Sequence, residues 1–167
     1  MAGQNTPESY RAASPLFLRE AEVRRGVELL YFGYSHLYRA IDAGLADRGL
    51  GRAHHRALYF IARKPDLTVS ELLALLAITK QSLGRVLNDL SERALVESRP
   101  GVTDRRQRLM RLTAAGAALE AELFDQLRER LSAAYSRAGQ GAVGGFWAVL
   151  DSLIPAEERA RIEALQG

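Results

Sequence analysis

The sequence predicts a mostly α-helical fold with one small β element set among the helices. Three observations carry this. Apolar residues recur every three or four positions over most of the chain. One stretch, "ALVESRPGVTDRRQRLMRLT" at 94–113, drops that period and alternates around a Pro-Gly pair. Two threonines, Thr68 and Thr79, each stand where a short helix should open.

In chain order, residues 1–14 are small and polar and read as a disordered arm. From about Leu16 to Arg48, Val23, Val27, Leu30, Tyr34, Leu37 and Ile41 are spaced 4, 3, 4, 3, 4, which puts one apolar stripe along a helix. Tyr31, Tyr38 and Leu45 form a second stripe beside it, so this helix should meet more than one neighbour. Gly49 and Gly51 punctuate the chain. A second helix over about 52–63 must stop before Lys64-Pro65, because the residue ahead of proline is pushed out of the α region. Thr68 and Glu71 have the spacing of a capping box and open a third helix, about 69–76. Thr79 caps a fourth, which runs to about Arg93.

A strand at 95–98, a Pro100-Gly101 turn, a charged tip and an alternating segment at 107–112 then form a β-hairpin. Thr113 caps a long helix to about Ala138 whose apolar face holds Leu119, Leu123, Phe124, Leu127, Leu131 and Tyr135. The run "GQGAVGG" at 139–145 reads as a break. A last helical region carries Val143, Phe146, Trp147, Leu150, Leu153 and Ile154 and is interrupted at Pro155. Two short helices joined by about three residues and followed by a hairpin make a helix-turn-helix with a β-wing.

Composition narrows the function. The 167 residues contain no cysteine, which excludes disulfides, thiolate catalysis and cysteine-ligated zinc. The N-terminus has no apolar core of the signal-peptide kind, and no run approaches a bilayer span, so the chain reads as cytoplasmic with no membrane partner. There is no phosphate loop, nucleophile elbow or paired histidine motif, and an enzyme is not expected. No cofactor is implied. His54 and His55 are adjacent on a helix, about 100° apart, and cannot easily chelate one ion. They read instead as pocket or interface histidines able to titrate near neutral pH.

The fourth helix is the informative one. Leu83, Val86, Leu87 and Leu90 repeat on one side; Lys80, Gln81, Ser82, Arg85 and Asn88 collect on the other. Arg85 can bind guanine O6 and N7 bidentately, and Gln81 matches adenine N6 and N7. Mid-helix Gly84 is costly, by about 1 kcal/mol against alanine; it points either to close approach of a duplex or to close packing with another helix. Residues 79–111 hold eight basic and four acidic side chains, so this segment carries +4 while the whole chain carries +3. That concentration is a footprint for phosphate. Arg99, Arg108 and Arg111 fit phosphate contacts and strand-pair roles equally well. A winged helix that docks on protein would need an apolar recognition face, and this face is polar and basic.

At this point the segment 67–116 resembles the winged helix-turn-helix of MarR-type transcription regulators. The likeness rests on Thr-x-x-Glu-Leu opening the third helix, Thr-Lys-Gln-Ser opening the fourth, Leu-Val-Glu in the strand, Asp-Arg-Arg in the wing and Leu-Thr-x-x-Gly leading out, in that order. With the flanking helices it covers about 15–167, and "LGRAHHRALYFIARKP" and "ITKQSL" are most similar to the PetP-like branch. The resemblance implies a winged region at 49–112 and helical dimerisation regions at 15–48 and 113–167. It implies a homodimer on a pseudo-palindromic duplex operator. It assigns DNA contact to Thr79, Lys80, Gln81, Ser82, Arg85, Arg105 and Arg106, with Arg106 in the minor groove and Asp104 supporting the wing. It also implies a small aromatic effector, which would place Tyr34, His55 and Tyr59 near its cleft. Gly84 departs from the Ser or Thr often found there.

Overall fold

The computed structural model describes residues 14–101, 104–163 and 165. The expected N-terminal arm, apart from Ser14, lies outside them, as do Val102 and Thr103. The chain forms two compact units, one ending at His36 and one beginning at Leu37.

In the first unit, Ser14 caps a 3-10 turn, Pro15–Leu18. Helix α1, Glu20–Ala46, starts after it and continues into the second unit. The sequence reading began this helix at Leu16. It starts later because Arg19 takes an extended backbone, with ψ 142°, and ends the turn. Glu20 and Glu22 then occupy the first helical turn, where a negative charge meets the positive end of the helix dipole. The stripe on α1 divides: Val23, Val27, Leu30 and Tyr34 are exposed, whereas Ile41 and Leu45 are fully buried in the second unit.

In the second unit, Gly49 closes α1 in a left-handed conformation (φ 63°), with Leu50 N–H reaching back to Leu45 O at 2.8 Å. Helix α2, Arg52–Arg63, buries Ala57, Leu58 and Ile61 and ends before Pro65 as expected. Strand β1, Leu67–Thr68, leads into α3, Val69–Leu76, where the Thr68–Glu71 capping box is formed in both directions. Ala77, left-handed at φ 50°, turns the chain into α4, Lys80–Glu92. Leu83, Val86, Leu87 and Leu90 of α4 join the core with Leu58, Ile61, Leu72 and Leu76.

Strands β2, Val96–Pro100, and β3, Arg108–Leu112, pair antiparallel with Ser98 opposite Met110. The sheet has a third member: β1 pairs with β3, Leu67 opposite Met110, in the order β1-β3-β2. The hairpin expectation missed this strand. It also placed the turn at Pro100-Gly101, but β2 runs through Pro100. That is tolerated because β2 is an edge, where the missing N–H breaks no ladder bond. Met110 is the inward residue of β3.

Helix α5, Ala114–Ala138, is capped by Thr113 and buries Leu119, Leu123 and Leu127. Gly139, at φ 82°, is the entire break; α6, Gln140–Ser152, already contains Gly141, Gly144 and Gly145. The expected break over 139–145 is thus one residue long. Tyr135 holds α6 on α5, accepting a hydrogen bond from Trp147 Nε1 at 2.9 Å and meeting the Phe146 ring edge-on. Helix α7, Ala156–Glu163, follows Pro155. No helix among the described residues is long and apolar enough to cross a membrane.

Candidate nucleic-acid interface

The fourth helix is fixed from both ends. Thr79 Oγ1 accepts from Ser82 N–H at 3.1 Å and donates to Ser82 Oγ at 2.9 Å, so both hydroxyls serve the N-cap. At the other end Ala94 takes φ 53° and Leu95 N–H returns to Leu90 O at 2.9 Å. Two side chains of α2 support the motif. Arg56 Nη2 donates to Leu76 O, at the end of α3. His54 Nδ1 accepts the Gly51 N–H at 3.0 Å, which leaves Nε2 to carry the proton and face Asp89 Oδ2 at 3.1 Å. The apolar side of α4 is thereby held inward, and Lys80, Gln81, Arg85 and Asn88 stand in solvent.

The eight basic residues of 79–111 fall into two sets. Four are committed within the subunit. Arg93 donates to the carbonyls of Arg48 and Gly49 in the turn between α1 and α2. Arg108 donates to Ser98 Oγ. Arg99 and Arg111 both grip Asp66 through paired donors, at 3.1 and 2.7 Å and at 2.7 and 2.6 Å. Arg111, and after it Arg99, hold the Asp66 carboxyl down to about 2 against the opposing effect of desolvation. Asp66 itself is left-handed (φ 67°), and its N–H bonds Met110 O at 3.0 Å. It ties β2, β3 and the approach to β1 together. The other four, Lys80, Arg85, Arg105 and Arg106, are exposed, and their side chains have no intramolecular partner among the described residues. They lie on α4 and at the wing tip.

At the wing tip Asp104 Oδ1 accepts from Arg106 N–H at 2.9 Å, and Gln107 N–H closes the turn onto Asp104 O. Gly101 is required here, since a Cβ would lie 2.6 Å from the Asp104 carbonyl oxygen. Gly116 is equally constrained at the base of the wing, where a Cβ would meet Leu95 O at 1.9 Å. Asp66 was not singled out from the sequence; its signal would have been a left-handed-tolerant residue after proline.

Of the three residues set aside for an effector, Tyr34 is exposed on α1 in the first unit. His55 and Tyr59 are neighbours on α2, with ring centroids 6.3 Å apart. His55 is 2% exposed, and neither ring nitrogen has a hydrogen-bond partner among the described residues. Burial pushes it down to about 4, which corrects the expectation of titration near neutral pH. No group of acidic or histidine side chains capable of holding a metal occurs among the described residues.

Residues 48–107 match the family model described as MarR family. The chain is 44% identical over 151 residues, 90% of its own length and 91% of the other's, to the HTH-type transcriptional regulator PetP of Rhodobacter capsulatus. The chain belongs to the MarR family. Three solved structures, each under 25% identical, share the fold. One, from Silicibacter pomeroyi, has a TM-score of 0.67 at 19% identity, covering 84% of this chain and 94% of that one. Another is a mutant E. coli MarR in complex with operator DNA, with a TM-score of 0.63 at 23% identity, covering 85% of this chain and all of that one. A third is BpsR of Bordetella bronchiseptica, whose DNA binding is regulated by 6-hydroxynicotinic acid; its TM-score is 0.62 at 19% identity, covering 77% and 98%. The chain is accordingly a transcription regulator of the MarR type with a winged helix-turn-helix, and its relatives are regulators, not enzymes.

Proposed function

We propose that this MarR-type protein binds a pseudo-palindromic operator as a homodimer. Each subunit lays α4 in a major groove and its wing tip in the adjacent minor groove. The observation that carries this is the partition of cations. Folding uses four arginines internally and leaves Lys80, Arg85, Arg105 and Arg106 free on the two elements that a winged helix presents to DNA. Gln81 and Arg85 read base edges, Arg106 enters the minor groove, and Thr79 and Ser82 set the end of the helix that faces the bases. Twofold symmetry puts the half-sites about one helical turn apart.

A second copy of the chain accounts for apolar surface that the subunit leaves open. Val23, Val27, Tyr31 and Phe32 are exposed on α1, Trp147 and Val149 on α6, and Leu153 just past its end. Apolar residues this numerous on long helices mark an interface with another chain.

Small-molecule control belongs to the same reading. The unpaired ring nitrogens of His55, beside Tyr59, are polar groups that a small aromatic acid would satisfy. Operator release by such acids, lost in His55→Leu, tests that part.

Genomic footprinting tests the whole. Enriched fragments should share an inverted repeat, and Arg85→Ala should weaken binding to it by about 1–3 kcal/mol while relaxing discrimination at one base pair. Failure to enrich any fragment would overturn the reading.

A further inference from the structure

The polar face of α4 has a gap at its centre. Gly84 lies one turn after Lys80 and Gln81 and one turn before Asn88, so it shares their stripe. A Cβ built on Gly84 meets nothing within 4 Å. The described residues therefore supply no steric reason for glycine: among them no neighbouring helix packs there and no backbone approaches. The residue is helical and its backbone is not left-handed, so the turn-forming freedom of glycine is not in use either. Yet glycine inside an exposed helix is less favourable than alanine by about 1 kcal/mol. Compare Gly116, where a Cβ would strike a carbonyl oxygen of the same chain. At Gly84 the close neighbour has to come from outside.

Resting on the DNA-binding reading above, we propose that Gly84 is a specificity-determining position that seats the 5-methyl group of a thymine in each half-site. The missing Cβ in the middle of the face leaves open backbone between longer polar side chains. Lys80, Gln81, Arg85 and Asn88 flank it along the helix, and none is tied to another part of the subunit among the described residues. The floor of the major groove presents hydrogen-bonding edges and one apolar projection, the thymine methyl. A polar side chain at position 84 would have read an edge; bare backbone accepts the projection and lets the helix settle deeper.

The test uses the operator recovered by footprinting, the full-length wild type and Gly84→Ala. The alanine variant should melt at a higher temperature, which shows that its fold is intact. It should also bind the operator about ten-fold more weakly, the equivalent of about 1.4 kcal/mol, with unchanged affinity for random duplex. Replacing thymines by deoxyuridine one at a time should identify one position per half-site that weakens wild type several-fold and leaves the variant unaffected. A variant that melts higher and keeps operator affinity within two-fold overturns this proposal while leaving operator binding intact. So does a uridine scan with no effect on wild type. Wild-type protein that enriches no fragment overturns both proposals together.

Discussion

His55 makes the stability of this protein depend on acidity in a calculable way. Its ring is buried, both nitrogens are unpaired, and burial lowers its folded-state value from 6.5 to about 4. The unfolded chain therefore takes up the proton first as pH falls. Stability from this site is complete above about pH 6.5 and drains away as pH drops toward 4. At about 1.4 kcal/mol per tenfold change, the full effect is about 3 kcal/mol, and about 2 kcal/mol of it is gone at pH 5. Replacing His55 by leucine removes both polar atoms from an apolar site, so at neutral pH the variant should be as stable as wild type or more so. Urea unfolding of both proteins at pH 7.5 and pH 5, at one protomer concentration, isolates the effect, since every other titrating group is common to the pair. Wild type should lose about 2 kcal/mol more than His55→Leu between the two conditions. Equal losses would show that His55 is hydrated or paired, and the reasoning would fail.

Arg106→Ala should lower the slope of log affinity against log salt by about 2 for a dimer, at about 0.9 per phosphate contact and two copies; a slope equal to wild type removes Arg106 from the contact surface. Gly116→Ala puts a methyl 1.9 Å from the Leu95 carbonyl oxygen, where no side chain can swing aside. Overpacking of this kind costs about 1–3 kcal/mol and should lower the melting temperature by several degrees; an unchanged melt would contradict the close approach. Asp66→Asn keeps a residue that tolerates the left-handed backbone but deprives Arg99 and Arg111 of their counter-charge. Amide exchange along β3 should accelerate, and protection equal to wild type would show that the carboxylate is not what holds the wing.

The helices and the two sides of α4 were legible because they rest on local rules. Thr68, Thr79 and Thr113 cap where the apolar period begins, and the sides of α4 separate cleanly at 3.6 residues per turn. What escaped depends on tertiary contact. Strand β1 is two residues long and exists only because β3 lies beside it. The roles of Arg99 and Arg111 stayed open because their shared partner, Asp66, is 33 and 45 residues away. Adjacent histidines about 100° apart had to diverge in environment, but which one would enter the core was set by packing. The glycines of α6 looked like a break, yet Phe146 and Trp147 against Tyr135 outweigh their low propensity. The division of the α1 stripe follows from where the subunit runs out of core.

The grip of two arginines on one aspartate also constrains how this chain can evolve. Three residues from three separated segments share a single charge balance, so none can drift alone. Losing the aspartate leaves two cations of the wing without their counter-charge; losing one arginine leaves the wing on a single tether. Lineages that alter this corner of the molecule would have to pass through a charge-unbalanced or a loosened ancestor, or change partners in concert.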